Sequence, residues 1–134
     1  MRLRSAVRAI AAVLGGVVTI FGAAALAAPP EPAGFRLDGD AQRGHAIYAK
    51  TCVLCHGEGG NGRGRLAAGL DPKPRDFTAP GLLSQRSDWE IYLVIRDGGQ
   101  AIGLSSRMAG WSKVLKDQEI RDAAAYVRSL APVP

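Results

Sequence analysis

Residues 52–56 read Cys52-Val53-Leu54-Cys55-His56, and the chemistry of this pentapeptide organises the reading of the rest of the chain. Two thiols separated by two residues, with an imidazole next in line, form the attachment pattern for a c-type haem. Each thiol adds across one vinyl group. Two intervening residues let both sulfurs reach one edge of the macrocycle, and the histidine then comes under the iron as an axial ligand. The rivals are few, because the chain has two cysteines and two histidines. A redox dithiol also uses Cys-x-x-Cys, but beside a βαβ pattern, and no convincing strand is legible here. A structural zinc ion needs four ligands. Cys52, Cys55, His56 and His45 are the whole supply, and His45 lies seven residues before Cys52, an unusual zinc spacing. Cys55 and His56 are also adjacent, which hinders joint ligation of one tetrahedral ion. One covalently attached haem c is the expectation.

A sixth iron ligand is sought by elimination. Beyond Met1 the only methionine is Met108, in an irregular segment followed by Gly110 and Trp111. Met108 is the expected second axial ligand; His45, or an open or water-bound position, are the alternatives. His/Met ligation raises the reduction potential. It also leaves both oxidation states six-coordinate, which suits electron transfer better than substrate chemistry.

Outward from the motif the pattern is helical. Asp40 is a good N-cap for a first helix running to Cys52, in which Ala41, Gly44, Ile47 and Tyr48 recur at three- and four-residue steps. Gly44 costs about 1 kcal/mol relative to Ala inside a helix, so its presence predicts another helix passing close by. Residues 57–80 read as a Gly- and Pro-rich loop. Ser87 and Glu90 form a capping box for a helix carrying Ile91, Tyr92, Val94 and Ile95, which Gly98-Gly99 ends. The last helix starts near Lys116 or Asp117, places Ile120, Ala123, Ala124, Val127 and Leu130 on one side, and stops before Pro132. Trp89 is read as core and Trp111 as a cofactor neighbour.

The first 27 residues read differently. Arg2, Arg4 and Arg8 precede an uncharged run from Ala9 to Ala28 that ends in small residues, the pattern of a secretory signal peptide cut after Ala27 or Ala28. The run is also long enough for an uncleaved membrane anchor; a buried core helix is the third reading. Of 17 basic and 12 acidic residues, three basic and no acidic ones fall in this segment, so 14 against 12 remain, a net charge of +2 rather than +5. No basic run with interleaved aromatics points to nucleic acid. The expected organisation is a signal or anchor over 1–27, a flexible lead-in over 28–38, and one domain over 39–131.

In sum these residues resemble the class I cytochromes c, the small mono-haem bacterial type. The resemblance rests on Gly44-x-x-x-Tyr48, Cys52-x-x-Cys55-His56-Gly57, Gly60-Asn61-Gly62, Pro72-Lys73-Pro74-Arg75-Asp76-Phe77, Met108 before Trp111, and Tyr126-Val127-Arg128-Ser129-Leu130. It implies an all-α cytochrome c fold of three to five helices around the haem, with the first and last helices crossing at Gly44 and Tyr126. It implies that His56 donates its free ring N–H to a backbone carbonyl near Pro72 to Pro74. It also implies single-electron transfer in the periplasm, with protein redox partners and no catalysis of its own. The alternative is a haem subunit or sensor with a labile sixth ligand serving a periplasmic oxidoreductase. Family members often have Pro after the ligand Met, where this chain has Ala109. Arg75 is a candidate for a haem propionate, and Lys50, Lys73, Lys113 and Lys116 for steering an acidic partner.

Overall fold

A computed structural model describes residues 28–132. The signal or anchor reading concerns residues 1–27, outside this range. Among the described residues no helix is long and apolar enough to cross a membrane. The elements are α1 (Ala41–Thr51), α2 (Val53–His56), α3 (Asp88–Asp97) and α4 (Asp117–Ser129), with single 3-10 turns at Ala67–Gly69 and Gly99–Ile102. The all-α expectation holds; the described residues contain one isolated β-bridge, Gly98 with Ala109, and no strand.

Each start signal acts as its chemistry predicts. The Asp40 carboxylate accepts from the Arg43 N–H at 2.9 Å. At α3 the Ser87 hydroxyl accepts from the Glu90 N–H at 3.1 Å, and the Glu90 carboxylate accepts from the Ser87 N–H at 2.9 Å. Helix α4 has only the reciprocal half, the Glu119 carboxylate accepting from the Lys116 N–H at 2.8 Å.

Helices α1 and α4 cross where Gly44 removes the side chain. A Cβ at Gly44 would lie 1.9 Å from the Asp122 carbonyl oxygen and 2.9 Å from the Tyr126 Cβ. Beside this contact the Tyr48 and Tyr126 rings meet edge-on at 5.0 Å. Asp122, 2% exposed, ties the crossing together. Its carboxylate accepts from Arg43 Nε at 2.7 Å, Arg43 Nη2 at 3.0 Å, the Asp40 N–H at 2.7 Å and Gln118 Nε2 at 3.0 Å. A buried carboxylate is costly unless paired and hydrogen-bonded, and this one is both. Chiefly through Arg43, its pKa falls from 3.8 to about 2. Helix α3 packs on α4 through a core that includes Leu93, Ile95, Ile120, Ala124 and Val127.

The lead-in, residues 28–38, forms no helix or strand, yet it is fastened down. Trp89 Nε1 donates to the Pro29 carbonyl at 2.9 Å, and Phe35 packs on Trp89 and Tyr92 with centroids 4.9 and 5.3 Å away. Arg121 Nη1 donates to the Arg36 carbonyl at 2.7 Å, and its guanidinium lies over the Phe35 ring. Composition suggested a loose segment; three scattered side chains from α3 and α4 hold it instead.

Candidate haem site

The Cys-x-x-Cys-His run occupies its own helical turn, α2, set off from α1 by Cys52. Four residues cannot satisfy their own backbone, and the loop that follows does it for them. The N–H groups of Gly62, Gly64 and Leu66 donate to the carbonyls of His56, Cys55 and Leu54 at 2.9, 3.1 and 2.8 Å. The loop can come this close because of its glycines: a Cβ at Gly64 would lie 2.4 Å from the Leu54 carbonyl oxygen. Gly57 turns the chain with φ +79°, and its carbonyl accepts from the buried Tyr48 hydroxyl at 2.8 Å. Helix α1 thereby holds the end of the motif.

These elements enclose a cavity of about 620 Å³ lined by Cys52, Cys55, His56 and Met108 together. Its size falls within the ~300–1,000 Å³ usual for small-molecule and cofactor sites. Leu83, Ile91, Ile95, Ile102 and Val127 give it apolar walls, and Lys73, Arg75, Arg86, Arg107 and Glu90 are its charged lining residues. A second, shallower cleft of about 490 Å³, lined by residues such as Asn61, Arg63, Lys73 and Asp76, offers neither sulfur nor imidazole.

The His56 ring stacks on Phe77 with centroids 4.6 Å apart and planes 18° from parallel. Burial lowers its pKa, and the Arg75 backbone acts in the opposite direction. The imidazole is therefore neutral at pH 7, the form that offers a lone pair to a metal. Its Nδ1 is buried with no hydrogen-bond partner. The expected bond to a carbonyl at Pro72 to Pro74 is not formed; the backbone acting on the ring is that of Arg75, one residue further along. Burial likewise pushes the Cys52 thiol above its ordinary pKa, with the Thr51 hydroxyl opposing.

The other candidates separate. His45 is exposed on α1 against Tyr126, with ring centroids 5.0 Å apart, and does not line the cavity. Trp89 belongs to the core, as expected. Trp111, read as a cofactor neighbour, packs instead against that same core and is not among the residues lining the cavity; its backbone N–H donates to the Ile95 carbonyl at 2.9 Å, on the C-terminal turn of α3. Lys73 lines the cavity but spends its ammonium on the carbonyls of Ala67 and Ala68, at 3.1 and 2.6 Å. Lys50, Lys113 and Lys116 are exposed and lie outside the lining. Arg86 and Arg107 were not anticipated. Arg86, the residue before the α3 N-cap, pairs with Glu90 at 2.8 Å; nothing local marks Arg107.

A haem fits this donor set. A histidine with a neutral imidazole, a methionine and two cysteines line one cofactor-sized apolar cavity, and Arg75, Arg86 and Arg107 against the single carboxylate of Glu90 suit a ligand bearing carboxylates.

Comparison with known proteins agrees. The family model for cytochrome C oxidase, cbb3-type, subunit III matches residues 39–127. The chain is 30% identical over 90 residues to the cbb3-type cytochrome c oxidase subunit CcoP of Azospirillum brasilense, covering 67% of this chain and 28% of that protein. It is 31% identical over 99 residues to CcoP of Azospirillum sp. (strain B510), covering 69% and 29%. It thus spans less than a third of these curated relatives. Among solved structures it resembles a chain of the Kuenenia stuttgartiensis reducing HAO-like protein complex Kustc0457/Kustc0458, with TM-score 0.57, 31% identity, and coverage of 69% of this chain and 43% of that one. It also resembles the KustC0563 c-type cytochrome, with TM-score 0.54, 26% identity, and coverage of 66% and 98%.

Proposed function

We infer the finer function from one premise: the chain belongs to the cytochrome C oxidase, cbb3-type, subunit III family. It is a small mono-haem c-type cytochrome, and it transfers electrons through a covalently attached haem. Within that function we assign Cys52 and Cys55 as the thioether residues, His56 as the proximal ligand and Met108 as the distal one. The observation that carries this assignment is that all four residues line one apolar cavity.

The haem supplies a one-electron iron couple when bound. The chain does the rest. His56 presents a neutral imidazole, and Phe77 stacked on it fixes the ring plane. Ile91, Ile95, Ile102 and Val127 exclude water, and a dry surrounding disfavours the more highly charged oxidised state. Arg86 and Arg107, with Arg75, face the cavity where carboxylates need counter-charge. A Met108 thioether held in place leaves no coordination position for a substrate, so the protein carries electrons and runs no reaction of its own.

The domain over 39–131 works outside the cytoplasm, exported by residues 1–27 and either released or tethered by them. Its partners are protein electron donors and acceptors, one of them membrane-bound; the kinship with oxidase subunits supports this. Neither nucleic acid nor a diffusible substrate fits the site.

The test is spectroscopy of the exported protein, oxidised and reduced, before and after denaturation. A low-spin c-type spectrum, a weak near-infrared Met–iron band, and haem that stays with the denatured chain are expected. A high-spin spectrum with rapid carbon monoxide binding would move the assignment to the open sixth position. Loss of haem on denaturation would overturn the thioether assignment.

A further inference from the structure

The segment bearing Met108 reaches the cavity by lying on the end of α3. The last carbonyls of a helix have no partner within it. Here the Trp111 and Ser112 N–H groups supply partners, donating to the Ile95 and Arg96 carbonyls at 2.9 and 3.0 Å. In return the Gly99 N–H donates to the Met108 carbonyl at 2.9 Å, and Gly98 pairs with Ala109 in the isolated bridge. The two backbones approach so closely that three positions admit only hydrogen. A Cβ at Gly98 would lie 2.7 Å from the Met108 carbonyl oxygen, at Gly99 2.2 Å from that of Ser105, and at Gly110 2.6 Å from the Asp97 carbonyl carbon. Gly98 also has φ +93°, which side-chain-bearing residues rarely adopt. A Cβ clash with backbone cannot be relieved by rotating a side chain; one segment has to move.

We propose that Gly98, Gly99 and Gly110 are positioning residues for the sixth iron ligand: they clasp the Met108 loop onto α3 and so hold the Met108 thioether in the cavity. The clasp does the work that a rigid residue after Met108 would do, and this chain has Ala109 there. The proposal rests on the reading of Met108 as a ligand.

The experiment compares Gly99→Ala and Gly110→Ala with Met108→Ala and with the control Gly59→Ala, at a glycine with nothing within 4 Å of its Cβ position. Each holoprotein is examined for covalent haem, the near-infrared Met–iron band and carbon monoxide binding. The two clasp variants are expected to keep their haem, lose most of the band, and bind carbon monoxide at least tenfold faster than the native protein and Gly59→Ala. A lowered melting temperature with the band intact would mean that the glycines serve stability alone, and would overturn the proposal. If Met108→Ala abolishes the band and the clasp variants do not, the clasp fails while the ligand assignment stands. If Met108→Ala leaves the native spectrum unchanged, both fall. Amide exchange in the native holoprotein needs no variant: the Gly99 and Trp111 N–H groups are expected to be protected together, and exchange at open-loop rates would overturn the clasp.

Discussion

At Gly44 a Cβ on α1 would come within 1.9 Å of the Asp122 carbonyl oxygen on α4; at Gly99 a Cβ would come within 2.2 Å of the Ser105 carbonyl oxygen in the Met108 loop. The two contacts use the same device, backbone laid on backbone through a missing side chain, but their surroundings differ. The Gly44 contact is flanked by the buried Asp122 carboxylate, which the exposed Arg43 guanidinium covers, and by the Tyr48/Tyr126 edge contact. The Gly99 contact carries backbone hydrogen bonds, from the Gly99 N–H to the Met108 carbonyl and from the Leu104 N–H to the Gly99 carbonyl, and Gly99 itself lines the cavity. Close approach stabilises a fold where side chains surround it, and positions a ligand where a cavity does. Substitution at the first is expected to be read in stability and at the second in coordination.

Gly44→Ala tests the first half most severely. Helix propensity alone predicts a gain of about 1 kcal/mol, whereas overpacking costs about 1–3 kcal/mol or more. With main chain as the obstacle, a loss of about 3 kcal/mol or failure to fold is expected in denaturant titration of the holoprotein. A gain would show that the helices do not meet as described. Met108→Ala tests the other side: the near-infrared band disappears and the potential falls, because the thioether that favours ferrous iron is gone, while covalent haem and helix content remain. An unchanged potential would contradict this.

Asp122→Asn is smaller. Breaking a charge-assisted hydrogen-bond cluster is expected to cost about 2–3 kcal/mol. The native carboxyl has its folded pKa depressed, from 3.8 to about 2. Its contribution is therefore fully present above about pH 4 and lost as the pH falls toward and through about 2. The Asn variant should lack that part of the acid slope; a parallel pH profile would dissociate Asp122 from acid stability. Tyr48→Phe is smallest, about 1 kcal/mol for an unpartnered Gly57 carbonyl, visible as a shift in melting temperature without spectral change.

Legibility in the sequence follows the same division. The assignment of Cys52, Cys55 and His56 rests on local chemistry: three residues at fixed spacing would serve one group. Gly44 was readable as a propensity penalty needing an explanation, and Ser87/Glu90 as a cap. Met108 is singled out only by elimination, since its contacts with Gly98 and Gly99 run across a loop with no periodicity. The His56 ring finds no carbonyl at Pro72 to Pro74 and Trp111 lies outside the cavity lining, because both depend on how loops fold back, which spacing does not encode. Residues 28–38 looked unstructured because their partners, Trp89, Tyr92 and Arg121, lie more than fifty positions away.

The crossing of α1 with α4 also completes the pocket. These two helices bracket nearly all of the described chain, and the entropy of closing so long a loop grows only slowly with its length. Val127 on α4 is part of the cavity wall, so before the helices meet the pocket lacks one side and Cys52 and Cys55 stand open to attachment chemistry. The same contact that fastens the two ends of the domain together is thus also a wall of the cofactor site.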